Sequence, residues 1–114
     1  MGNLDARRDW GYAKDYVQAM WLILQQEAPD DFVIATGESR TIRDLLGTAF
    51  RHVGLNWHDY VNIDDRLKRP ADAHELLGNP AKAFKQLGWK PSITFEELIQ
   101  LMVDEDMKAV KCHA

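Results

Sequence analysis

The chain has 114 residues, a net charge of −4, 28% charged and 46% apolar residues. That is the composition of a soluble globular protein, long enough to bury a core, so a single domain spanning residues 1–114 is expected. The acidic balance argues against phosphate-backbone binding, and so against nucleic acid as a partner. The longest apolar run, Ala19 to Leu24, is too short to span a bilayer, and no signal-peptide pattern opens the chain. The single cysteine, Cys112, rules out an intrachain disulfide and suits a reducing compartment. A soluble, cytoplasmic protein with no membrane partner is expected.

The first element is a helix over Tyr16 to Gln26, stopped by Pro29. Asp15 reads as its cap, with Gln18 as the return partner of a capping box. Met20, Trp21, Leu22, Ile23 and Leu24 make this helix apolar on most faces, so it needs burial on several sides. The chain itself supplies little to cover them. Phe32-Val33-Ile34-Ala35-Thr36, closed by Gly37, reads as a buried strand.

Thr41 then caps the clearest helix. Ile42, Leu45, Leu46, Ala49, Phe50 and Val53 recur as one apolar stripe, and Gly54 is the residue expected just past its end. A short strand over Tyr60 to Ile63 follows, then mostly loop with one helical turn over residues 64–78. Asn79-Pro80 opens a short helix that Gly88 closes. Thr94 with Glu97 forms a capping box that starts a last helix through about Ala109. The fold class is therefore α/β: a small, helix-rich domain with a short two-stranded sheet. The sheet is expected to be parallel, joined by a right-handed crossover through the Thr41 helix.

The sequence holds no Gly-x-x-Gly-x-x-Gly or Gly-x-Gly-x-x-Gly run, and so no glycine turn to approach a pyrophosphate. It holds no Tyr-x-x-x-Lys pair either. Tyr12 and Tyr16 have that spacing, but the second position is the wrong residue. His52, His58, His74 and His113 are scattered, without the paired spacing of a zinc site. Asp104-Glu105-Asp106 reads as a solvated helix face. No catalytic, cofactor or metal residue is assigned.

What remains is a candidate anion site. Arg8 precedes the first helix and Arg69 precedes Pro70 in the loop after the second strand. Planar guanidinium donors engage two phosphate oxygens at once. Asp72, three residues on, is suited to a ribose diol. The plainer reading pairs Arg8 with Asp5 or Asp9 at the surface, where it contributes little. For most of Trp10, Trp21, Trp57 and Trp89 the plainer reading is core packing.

Arg8-Asp9-Trp10-Gly11-Tyr12-Ala13-Lys14-Asp15-Tyr16-Val17-Gln18-Ala19-Met20-Trp21 resembles an internal stretch of GDP-mannose 4,6-dehydratases, which are extended short-chain dehydrogenases. Val33 to Glu38 with Thr41 to Asp44, Arg69-Pro70-Ala71-Asp72, Leu76 to Ala83 and Leu87 to Pro91 with Thr94 to Leu98 continue the resemblance to about Asp106. It implies the carboxy-terminal, substrate-side lobe of that family, without its NADP-binding Rossmann half. The family oxidises C4 of the hexose, eliminates water across C5 and C6, and returns the hydride at C6.

By resemblance, Arg8 and Arg69 would meet the diphosphate of GDP-mannose, Asp72 would stand where a glutamate holds the ribose, and Asn3 would line the same pocket. Asp72 is one methylene shorter than that glutamate, retracting the carboxylate by about 1.5 Å. His74 replaces a usual aspartate, Leu67-Lys68 replace an aromatic pair, and Arg40 stands where histidine is common. The cofactor, NADP in the family, has no site in this chain.

The expectation is a weak GDP or GDP-mannose binding lobe, not catalytic alone, completed by an NADP-binding partner chain. Met1 falls where the family has an internal residue, which fits a short gene product or an excised piece equally. The alternative is a structural or self-association remnant that binds no nucleotide. Either way, apolar faces left open predict a homo-oligomer.

Overall fold

A computed structural model describes residues 1–69 and 75–113, the last two by backbone alone. Helix α1 (Ala13–Leu24) follows an extended Tyr12 and has no side-chain cap. Asp15 therefore lies inside the helix rather than capping it, and tertiary structure takes its carboxylate. Asp15 is buried and accepts hydrogen bonds from the Ser92 amide (2.9 Å) and hydroxyl (2.6 Å). The Trp89 indole N–H donates to the Asp15 carbonyl at 2.8 Å. One residue thus fixes α1 to the segment that leads into the last helix.

Around this clasp Ala19 and Trp89 pack with Ala83 of the short helix α3 (Ala81–Leu87). Tyr16, Leu22, Phe32, Ile34 and Leu87 close the cluster. The Asn79 side chain accepts from the Ala81 amide, and Gly88 ends α3 at φ 66°, a left-handed conformation that costs glycine little. Both ends of α3 follow the sequence signals.

The sheet differs from expectation in place and direction. Residues 32–36 have strand-like composition but no ladder partner among the described residues. They are fastened instead through Asp9, whose carboxylate accepts from the Thr36 amide (2.9 Å) and the Gly37 amide (3.0 Å). The segment expected as a second strand follows a 3-10 turn at Trp57–Asp59 and is not a strand. A second 3-10 turn, Asp65–Leu67, accounts for the single helical turn expected in the next loop.

The pair that does form is β1 (Arg7–Arg8) against β2 (Arg40–Thr41), antiparallel, with Arg7 opposite Thr41 and Arg8 opposite Arg40. The connection between them carries α1, but because the pair is antiparallel it is not the right-handed crossover expected, and the Thr41 helix follows β2 instead of linking the strands. A parallel bridge from Glu75 to Arg7, with the Leu76 amide donating to the Arg7 carbonyl at 2.9 Å, adds a third segment beside β1.

Helix α2 (Ile42–His52) opens with a full capping box. Thr41 accepts from the Asp44 amide at 3.0 Å, and Asp44 accepts from the Thr41 amide at 3.1 Å. Helix α4 (Phe95–His113) starts at Thr94, whose hydroxyl accepts from the Glu97 amide. These two helices form the most extensive helix pair, with Leu46 buried on α2 and Leu98 and Ile99 buried on α4. His52 joins Asp104 across them at 2.8 Å, so one end of the acidic stretch on α4 is paired rather than merely solvated.

Among the described residues, four helices and a two-stranded sheet keep the molecule in the α/β class. Its radius of gyration is 17.1 Å, where a compact chain of this length has about 13 Å. The openness has a visible counterpart. On α1, Val17, Met20, Trp21 and Leu24 are 59–79% exposed, so the helix turns one apolar face inward and leaves the other uncovered. Trp89 is in the core, as expected for most of the tryptophans; Trp21 is not.

Replacing Asp15 by alanine strips the Ser92 amide and hydroxyl of their acceptors in a part-buried setting. A loss of about 1–3 kcal/mol in unfolding free energy is expected by chemical denaturation, with Asp15→Asn, which keeps one acceptor, losing less.

Candidate nucleotide-binding cleft

The backbone of residues 4–9 is the rail on which the cleft is assembled. The Ile42 and Arg43 amides donate to the carbonyls of Ala6 (3.2 Å) and Leu4 (3.0 Å), which seats the start of α2 on the rail. Those amides are thereby used up, so the α2 N-terminus offers an anion less than a free helix end does. Recognition of an anion here falls to side chains.

On one side lies a cleft of about 240 Å³ lined by Met1, Gly2, Asn3, Leu4, Arg8, Ile42, Leu67 and Arg69. Three of the four residues singled out in the sequence, Asn3, Arg8 and Arg69, thus meet in one space although they come from distant parts of the chain. The fourth, Asp72, lies outside the described residues, as does His74.

Each of the three is held differently. The Asn3 side chain accepts from the Asp5 amide at 3.0 Å, a local turn that fixes its orientation. Arg8 is half-buried and donates from Nη1 to the Arg7 carbonyl at 2.8 Å. Arg69 is exposed and follows the turn at Asp65–Leu67. That turn is fixed by Asp64, which accepts from the Arg66 amide at 2.9 Å, and by the Asp64 amide donating to the Met1 carbonyl. Gly2 passes so close to Leu67 that a Cβ there would stand 2.7 Å from the Leu67 carbonyl oxygen. The close approach brings the Asn3 and Arg69 segments together.

Asp5 pairs with Arg43 and Asp9 is occupied by Thr36 and Gly37.

Arg8 also borders a second, more open cleft of about 380 Å³, with Asp9, Tyr16, Val33 to Ala35 and Leu76 to Gly78. Burial, then the negative charges of Asp9 and Asp15, push the Tyr16 phenol above its ordinary value. Among the described residues no group of His, Cys, Asp and Glu is arranged to hold a metal, and no helix is long and apolar enough to cross a membrane.

Two residues of this region were given no contact by the sequence reading. Arg7 donates to the Ser39 hydroxyl (3.1 Å) and carbonyl (3.2 Å) and pairs with Glu75 at 3.5 Å, fastening three segments beside Arg8. Arg40 pairs with Glu38 and Glu96 and lies over the Phe95 ring. Apart from Glu38 beside Arg40, their partners are distant in sequence, so local spacing does not reveal them.

The profile of the GDP-mannose 4,6 dehydratase family matches residues 1–102. The chain belongs to the GDP-mannose 4,6-dehydratase family. It is 55% identical over 111 residues to GDP-mannose 4,6 dehydratase 2 of Arabidopsis thaliana, covering 97% of this chain and 30% of that protein. It is 41% identical over 128 residues to the human GDP-mannose 4,6 dehydratase, covering 97% and 34%. A Vibrio cholerae relative, 39% identical, is covered to 38%. The chain therefore spans about a third of the length of these relatives.

Among solved structures it is similar to a UDP-glucose 4-epimerase from Thermotoga maritima determined with UDP-glucose. The TM-score is 0.84 at 25% identity, over 96% of this chain and 34% of that one. A dTDP-glucose 4,6-dehydratase from Bacillus anthracis shares the fold, with a TM-score of 0.79 at 20% identity over 94% and 33%.

The raised Tyr16 phenol gives a testable pH dependence. The folded chain keeps this proton at pH values where the unfolded chain has lost it, so its contribution to stability is intact below pH 10.0 and falls as pH rises beyond. Denaturant midpoints measured from about pH 9 to 11 should fall less steeply for Tyr16→Phe than for the parent chain.

Proposed function

We propose that this chain is the nucleotide-sugar side of a GDP-mannose 4,6-dehydratase. In this reading the cleft between Asn3, Arg8 and Arg69 takes the diphosphate of GDP-mannose. The observation that carries it is the convergence of those three residues on one cleft in a chain of this family. Two guanidinium groups and a carboxamide are the donors a diphosphate needs. Asp72 would follow Arg69 toward the ribose.

These residues bind and orient; none is assigned a step of the redox and elimination chemistry. The glycine-rich turn and the Tyr-x-x-x-Lys pair on which such chemistry depends are not among these 114 residues. Turnover would need NADP and the remaining part of the dehydratase fold. The chain alone is read as a binding lobe, working in the soluble phase of the cell.

Arg69 is exposed and Arg8 only half-buried, so each charge-assisted bond acts against competing water. Calorimetric titration with GDP and GDP-mannose at low salt is expected to give a dissociation constant of about 0.1–1 mM, near −4 to −5.5 kcal/mol. Arg69→Ala should abolish the heat without lowering the melting temperature. Absence of heat at several times that concentration would instead favour the reading in which the fold persists and the site does not.

A further inference from the structure

Arg7 stands beside the Arg8–Arg69 cleft without lining it. Neighbours on a strand point to opposite faces, so Arg7 is turned from the space that Arg8 lines. Its bonds nevertheless reach both sides of the site. Its carbonyl accepts the Leu76 amide at 2.9 Å and the Arg8 guanidinium, through Nη1, at 2.8 Å. Its side chain donates from Nε to the Ser39 hydroxyl and from Nη2 to the Ser39 carbonyl, and Nε lies 3.5 Å from a Glu75 carboxylate oxygen. One residue thus ties together the Arg8 head, the turn before β2 and the point where the chain returns after Arg69.

The stretch that carries Arg69 is anchored from both directions. Ahead of it, the Asp64 amide donates to the Met1 carbonyl and Gly2 sits against Leu67. Beyond it, Glu75 is tied to Arg7 by a parallel bridge as well as by the ion pair. With side chains 40% and 41% exposed, the Arg7–Glu75 pair contributes little to folding. What it supplies is direction. A planar guanidinium bonded to two segments fixes both, where a lone backbone bond leaves the Glu75 end free to pivot.

We infer that Arg7 and Glu75 form a positioning pair for the cleft, and that the Glu75 carboxylate favours diphosphate binding there. The inference rests on the reading of the cleft as a diphosphate site. It runs against simple electrostatics. A carboxylate this near to Arg8 repels a diphosphate, so on charge alone its removal tightens binding. Acting through Arg7 on Arg8 and on the Arg69 stretch, its removal weakens binding instead.

Titration of the 114-residue chain with GDP, followed by amide shifts in 15N NMR, separates the two. Arg7→Met and Glu75→Ala are each expected to weaken GDP by about three- to tenfold, the cost of roughly one hydrogen bond to the ligand. The double variant should lose no more than the worse single one, because the pair acts as a unit. Losing the Arg7 charge also weakens an anion, so the sign at Glu75 decides. Melting temperatures should stay near that of the parent chain. Should Glu75→Ala melt early, Glu75→Gln, which keeps the length without the charge, is read by the same sign. GDP binding that the Glu75 variant leaves unchanged or tightens overturns the inference and leaves the diphosphate reading standing, as do additive losses in the double variant. A parent chain with no saturable shifts overturns that reading and the inference with it.

Discussion

Residues 4–9 form a rail that everything near the cleft is hung on. Its carbonyls hold the first amides of α2, its Arg7 carbonyl accepts both the Leu76 amide and the Arg8 guanidinium, and its Asp9 carboxylate holds the turn at Thr36 and Gly37. Three separate stretches of chain are thereby fixed relative to Arg8 by bonds to one short segment. Hydrogen bonds of this kind contribute about 1 kcal/mol each to stability, but leaving one unmade in a part-buried place costs more. The rail is thus better understood as setting geometry than as supplying stability. A chain that lost it would keep its helices and lose their relation to the arginines.

Local chemistry was legible where both partners sit within one turn. The Thr41 helix, the Thr94 start and the Asn79 and Gly88 ends of α3 all depend on the residue itself or on neighbours two or three residues away, and all stand as the sequence indicates. Asp15 shows the limit. Its spacing to Gln18 mimics a capping box, but Ser92 offers two donors from far along the chain and takes the carboxylate. The expected strand at 32–36 failed for a related reason: β propensity describes fitness for a pleated surface, and a ladder needs a partner. Conversely β1 is two arginines, with no apolar alternation to announce a strand.

The cleft was legible only through kinship. By spacing alone, arginines some sixty residues apart point to nothing in common, and the sequence contains no local motif that joins them. What joins them in space is Gly2 passing beside Leu67, a contact between segments that no period or cap encodes. The family resemblance carried that information because relatives that share the fold share the path of the backbone.

Enclosure, rather than the number of arginines, governs what such a cleft can hold. Two unit charges at 4 Å attract by about 1 kcal/mol in water and about 4 kcal/mol near a protein surface that screens less well. A diphosphate facing exposed Arg69 and half-buried Arg8 is closer to the first limit. The radius of gyration of 17.1 Å and the uncovered face of α1 describe the same condition elsewhere in the molecule: a lobe with surfaces shaped for contact. Relatives of which this chain spans only 30–38% have the additional residues from which walls can be built. On the proposed reading, covering the cleft would strengthen each bond to a diphosphate without altering Arg8 or Arg69, so affinity would depend on the surround as much as on the site.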